Sequence, residues 1–352
     1  SRRFADAIGL GALYITFSGY WPERGATMES GTFKECEAYA VAGRMGTDFP
    51  STLVLASAGN TARAFYRVFS EQRIPAVIVL PEANLGNLWH HSGESESVTV
   101  IAVGDGADYS DAITLAGRIC EIPGFVPEGG ARNVARRDGM GTTLLSAATT
   151  IGRVPDHYFQ AVGSGTGAIA AWEANRRLQR DGRYGDHLAR LHLGQNAPFT
   201  LLTDSWARRS RDLVELEERE AKRRTREIGA PVLANRKPPY SLRGGLYDAL
   251  AATNGVMYAP SNGAAAAAAE LFGDAEGIDL EPAAAVAAAS LIEAVRNHAV
   301  GSADTIMLNV TGGGIARFRR EKETVRVRPH HLVAPDATRE ELAELLTRSG
   351  NR

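Results

Sequence analysis

Cysteine is scarce in this chain. Cys36 and Cys120 are the only two among 352 residues. Two thiols cannot form a four-cysteine zinc site, and they argue against a disulfide framework and for a reducing, cytoplasmic setting. Long apolar runs are missing as well: none reaches the ~18 residues needed to span a bilayer. Charge of one sign is missing too, since the net charge is only -2. That balance argues against a nucleic acid or a membrane surface as partner. No secretory leader is visible, and the opening at Ser1 without a methionine reads as a fragment or a processed chain. There is no internal repeat. The composition is that of a globular protein, 44% hydrophobic and 23% charged, and the length calls for two domains.

The apolar pattern alternates strand, loop and helix. Residues 53–56, 76–80, 98–103 and 305–310 read as short buried strands, and so does FTLLTDS at 199–205. Helical spacing follows most of them, which predicts an α/β fold with parallel sheets and right-handed crossovers. The charged stretch 207–228 reads as a solvated helix or surface segment. The alanine-rich runs 263–269 and 283–289 read as close-packed core helices. A helix is expected over 336–349.

Four loops carry candidate chemistry. Gly163-Ser164-Gly165-Thr166-Gly167 lies between a strand and a helix, where small residues and a helix N-terminus suit a phosphate. A dinucleotide or a plain tight turn is also compatible with it. In SGTFKECEA, Lys34 opens a helical stretch, where positive charge is disfavoured. It is either a surface lysine or an amine whose pKa is depressed for Schiff-base chemistry. Ser57-Ala58-Gly59-Asn60-Thr61 ends a strand and suits a carboxylate or a helix cap. Thr311-Gly312-Gly313-Gly314 follows the last strand, either as a bare turn or as a hydroxyl for a ring nitrogen.

In this order the four loops resemble the threonine synthase-like branch of the tryptophan synthase β fold, the pyridoxal-phosphate (PLP) fold type II. The segment 274–289, DAEGIDLEPAAAVAAA, resembles that family's EGI…EP stretch. The resemblance implies two α/β domains with the cofactor in the interdomain cleft. It implies that Lys34 carries pyridoxal 5'-phosphate and shuttles the substrate α-proton. Gly163, Ser164, Gly165, Thr166 and Gly167 would cradle the cofactor phosphate, with Asn60 on the 3′-oxygen and Thr311 on the ring nitrogen. Ser57, Ala58, Gly59 and Thr61 would hold the substrate carboxylate. The run around Lys34 departs from the common threonine synthase form, and the stretches 17–38 and 135–174 are similar to its archaeal cysteate synthase relatives of coenzyme M biosynthesis. That implies replacement of the phosphate of O-phospho-L-serine by sulfite.

Both implied substrates are small anions, so cations are expected near them. Arg63, Arg132, Arg136, Arg137, Lys237 and Arg243 are the candidates, with the pair Arg136 and Arg137 preferred. The paired histidines at 90–91 and 330–331 read as surface, and Cys36 as packing. No metal site is expected, and the resemblance implies a homo-oligomer. The expected division is a small substrate domain over 48–145 and a larger PLP domain from 1–47 and 146–352. Other readings are a threonine synthase, a non-catalytic PLP-fold sensing module, and a Rossmann dehydrogenase that would leave three of the four loops without a role.

Overall fold

The computed structural model describes residues 1–46, 49–57, 59–91 and 93–349. The chain forms two compact units, one from Ser1–Phe33 with Met140–Glu321 and one from Lys34–Gly139 with Lys322–Arg352. Ten strands build the two main sheets. They are β1 (Ala12–Phe17), β2 (Thr52–Ala56), β3 (Ala76–Pro81), β4 (Val98–Val103), β5 (Phe125–Pro127), β6 (His157–Ala161), β7 (Arg190–Gly194), β8 (Val256–Tyr258), β9 (Thr305–Val310) and β10 (His331–Val333). The helices that bear on the candidate site are α1 (Lys34–Arg44), α2 (Asn60–Glu71), α3 (Tyr109–Ile119), α4 (Val134–Ile151), α5 (Thr166–Asp181), α6 (Asn262–Glu276) and α7 (Pro282–Arg296).

The first unit holds a parallel five-stranded sheet in the order β1-β9-β6-β7-β8. Its inner strands β6, β7 and β9 are buried on both faces, as the interior of a parallel sheet requires. Phe159, Ile306 and Leu308 point into one hydrophobic cluster, while Tyr158 and Met307 point into the other. Helix α7 is alanine-rich because it lies tight on this sheet. Residues 283–290 are all buried, and a Cβ on Gly194 of β7 would meet the Ser290 hydroxyl at 2.3 Å.

The second unit holds a parallel sheet in the order β10-β4-β3-β2-β5. The same alternation appears there. Leu53, Leu55, Ile78 and Val100 serve one cluster, and Val54, Val77, Val79 and Ile101 the other. Short antiparallel pairs, Tyr20–Trp21 with Ala26–Thr27 and Trp89–His90 with Val325–Arg326, accompany the sheets.

Several expectations are corrected by this structure. FTLLTDS is not a strand, because Leu201–Ala207 is a helix whose first turn is capped from outside. The Gln195 side-chain oxygen accepts the N–H groups of Leu202 at 2.8 Å and Thr203 at 3.2 Å. The strand in that region is β7, whose alternation is masked in the sequence by Arg190 and His192. In the charged stretch 207–228 the helix covers Glu218–Glu227, after Ala207 has closed the helix before it. In the alanine run of α6, residues 263, 264, 266 and 267 are exposed, so only α7 is a core helix. His90 is buried rather than superficial. The segments of the two units also differ from the expected division at 48 and 146. Helix α1 packs with α2 in the second unit, and the tail joins that unit because β10 pairs with β4.

Candidate active site

In an open parallel sheet, ligands collect at the carboxyl ends of strands where the sheet changes its direction of growth. In the first unit the chain runs from β6 outward through β7 to β8, then returns to place β9 on the other side of β6. The loops that leave this switch point are Gly163–Gly167 after β6 and Thr311–Gly314 after β9. In the second unit the switch lies between β2 and β5. There Ser57 follows β2, Gly59 caps α2, and Glu128 follows β5, its N–H donating to the Val54 carbonyl at 2.8 Å.

The loop 163–167 ends at the N-terminus of the sixteen-residue helix α5, where unpaired N–H groups and the helix dipole favour an anion. Gly165 has φ +77°, a conformation that a side chain disfavours. The hydroxyls of Ser164 and Thr166 lie 2.8 Å apart. Gly167 is fixed from beneath, since a Cβ there would meet Gln160 Nε2 at 2.4 Å. Gln160 belongs to a buried network. Tyr158 donates its hydroxyl to Gln160 Oε1, and Asn309 Nδ2 donates to the same oxygen at 3.0 Å and to the Tyr158 hydroxyl at 2.8 Å. Burial pushes the Tyr158 phenol up to about 12, so it stays a donor.

Thr311 is buried, and its carbonyl accepts the Phe33 N–H at 2.8 Å. The glycines after it are bound by main-chain contacts. Gly312 bridges Thr32, and Gly313 bridges Leu280. Gly314 sits at φ +69° with the Tyr20 carbonyl 2.0 Å from where a Cβ would be. The segment 276–281 thus holds this loop in place, with Gly314 N–H donating to the Asp279 carbonyl.

Lys34 begins α1 in the second unit, one residue after Phe33, with its side chain 19% exposed. Burial holds its amine below the usual lysine value. Glu37 opposes that shift and Arg136 adds to it. Ser57 Oγ accepts the N–H groups of Gly59 at 3.0 Å and Ala62 at 2.9 Å, which leaves its own proton to donate. Asn60 accepts from Arg63 at 3.0 Å through Oδ1. Thr61 donates its hydroxyl to Glu37 Oε1 at 3.0 Å. Ala58 lies outside the described residues.

The expected anion-binding pair is arranged differently. Arg136 is buried and holds Glu128 through two hydrogen bonds, with Glu37 Oε1 3.5 Å from its Nη1. Its guanidinium is committed to two carboxylates. Arg137 turns to the Ala131 carbonyl. Arg63 donates to the Asn87 carbonyl and lies over the Trp89 ring, while Arg132, Lys237 and Arg243 are exposed.

Glu37, Glu128 and Gln160 were not singled out in the sequence. Glu37 carried one legible signal: three residues after Lys34 on a helix, it shares that lysine's face. Among the described residues, no group of histidine, cysteine and carboxylate side chains could hold a metal, and no helix is long and apolar enough to cross a membrane.

Each unit carries groups that suit pyridoxal phosphate: in the first a helix N-terminus for its phosphate and a neutral hydroxyl, in the second an amine of lowered pKa and an amide. Comparison with known proteins agrees. A family model described as pyridoxal-phosphate dependent enzyme matches residues 21–312. The chain is 50% identical over 344 residues to the cysteate synthase of Methanosarcina acetivorans, covering 97% of this chain and 83% of that protein. It is 49% identical to the cysteate synthase of Methanoregula boonei, covering 99% and 82%. Among solved structures, maize serine racemase superposes with a TM-score of 0.69 at 15% identity, over 91% of this chain and 89% of that one.

Proposed function

Because the chain belongs to the pyridoxal-phosphate dependent enzyme family, we propose that it replaces the phosphate of O-phospho-L-serine by sulfite, releasing L-cysteate and phosphate. It is a PLP enzyme with cysteate synthase activity. The observation that carries this reading is the likeness to cysteate synthases over nearly the whole chain, four loops included.

Bound pyridoxal phosphate supplies the electron sink that makes loss of the α-proton and of the β-substituent feasible. This chain's residues supply the rest. Lys34 Nζ anchors the cofactor, takes the proton from Cα and later returns it. The N–H groups of Gly163–Gly167 would hold the cofactor phosphate. Asn60 would offer its NH2 to the 3′-oxygen, since its own oxygen is turned to Arg63. Thr311 would offer the ring nitrogen a neutral hydroxyl. The turn of Ser57, Gly59 and Thr61 takes the substrate carboxylate, with the Ser57 proton available to donate. The C–O bond to phosphate breaks at Cβ, and a C–S bond to sulfite forms there.

The test is product analysis with purified enzyme. O-phospho-L-serine and sulfite together should give phosphate and cysteate in equal amounts, with phosphate release dependent on sulfite. Threonine formed from O-phosphohomoserine and water at a comparable rate would assign the chain to threonine synthesis instead.

A further inference from the structure

Glu37 is fully buried, at 0% exposure, and three groups of the second unit converge on it. Its Oε1 accepts the Thr61 hydroxyl at 3.0 Å and lies 3.5 Å from Arg136 Nη1. Its Oε2 is buried and has no hydrogen-bond partner among the described residues, yet it lies 3.6 Å from Lys34 Nζ. A buried carboxylate oxygen left without a hydrogen bond is costly unless a charge faces it.

We propose that Glu37 is the positioning residue of Lys34. Its Oε2 is the counter-charge that holds Nζ in place whenever that nitrogen carries a proton. The inference rests on the reading of Lys34 as the cofactor lysine. On that reading the amine takes a proton from the substrate while it is enclosed, and an enclosed ammonium needs a partner.

Arg136 faces Glu37 Oε1 at 3.5 Å but does not explain Oε2. The guanidinium is already held by both oxygens of Glu128. The charged groups here are Lys34 and Arg136 against Glu37 and Glu128, with the Tyr109 phenol also in range. With Glu37 the cluster balances. Without it, two cations face one anion, and Glu128 is the carboxylate left to oppose burial and Arg136 at the lysine. Thr61 fixes Oε1, so Oε2 is the oxygen turned to Nζ.

The experiment compares the full chain with Glu37→Gln and Glu37→Asp. Each is freed of cofactor and acetylated over a series of pH values, and peptide mass mapping reads the extent of modification at Lys34. In Glu37→Gln the midpoint of Lys34 reactivity should fall by about one pH unit. In Glu37→Asp the shorter arm should keep charge near Arg136 but lose part of its hold on Lys34, giving a smaller fall. Lys222 and Lys237 should titrate unchanged in both variants. A Lys34 midpoint unmoved in the folded variants would overturn the inference. Lys34→Ala is the separate control. If that variant still forms the visible band of covalently bound cofactor, the reading of Lys34 itself fails, whatever Glu37 does.

Discussion

Arg63 donates through Nη2 to the side-chain oxygen of Asn60 at 3.0 Å, and through Nη1 to the Asn87 carbonyl. One guanidinium thus ties the start of α2 to the chain that precedes Trp89, over whose ring it lies. An amide has its oxygen and its nitrogen on opposite sides, so this contact sets which end of Asn60 faces a ligand. Arg63→Met should leave the fold intact but release the amide. Pyridoxal phosphate should bind roughly tenfold more weakly, about 1.4 kcal/mol, with an altered absorption spectrum. Equilibrium dialysis and a visible spectrum check both.

The charge cluster of the second unit makes a prediction about stability. Arg136→Met leaves the buried Glu128 without its hydrogen-bonded cation and takes away one of the two cations that face Glu37. The loss should be on the order of 3–5 kcal/mol, read as a drop in the urea midpoint. An unchanged midpoint would mean that the pair is not buried in solution.

The support beneath the 163–167 loop can be tested with a double-mutant cycle. Gly167→Ala drives a methyl group into Gln160, which is held by Tyr158 and Asn309 and cannot swing aside freely. The single change should cost roughly 1–3 kcal/mol. In a Gln160→Ala background the same change should cost much less, giving a clear coupling between the two sites.

Much of this arrangement was legible in the sequence, for reasons that differ by residue. Gly165 and Gly314 sit at positive φ, and such turns advertise themselves as glycine between a strand and a helix. Strands buried on both faces appear as continuous apolar runs, so β2, β3, β4 and β9 were readable. Strand β7 was not, because His192 stacks on Phe159 and hydrogen-bonds Tyr258 within the core, and a buried histidine looks polar in a sequence. The helix at Leu201–Ala207 hid for another reason: its cap, Gln195, is supplied from outside the helix. Glu37 hid because a glutamate in a first helical turn normally reads as a solvated dipole partner. Its burial depends on Thr61 and Arg136, which are distant in the chain.

His192 also predicts an acid limit to stability. Burial, with help from His157 and Arg190, lowers its pKa from 6.5 to about 3. The folded state therefore binds fewer protons than the unfolded state between these values. The contribution is fully present above about 6.5 and is lost as pH falls toward 3. Going from pH 7 to pH 5 should cost about 2 kcal/mol from this group. Urea unfolding of the wild type and of His192→Gln at both pH values checks the sign, since the variant should show a smaller acid loss.

The chain has four lysines, Lys34, Lys222, Lys237 and Lys322, which makes one measurement decisive. The cofactor-loaded enzyme is reduced with borohydride, digested and mapped by mass spectrometry. One pyridoxyl-phosphate adduct is expected, on the peptide that contains Lys34. An adduct on Lys222, Lys237 or Lys322 instead, or a loaded enzyme that takes no covalent label at all, would contradict it.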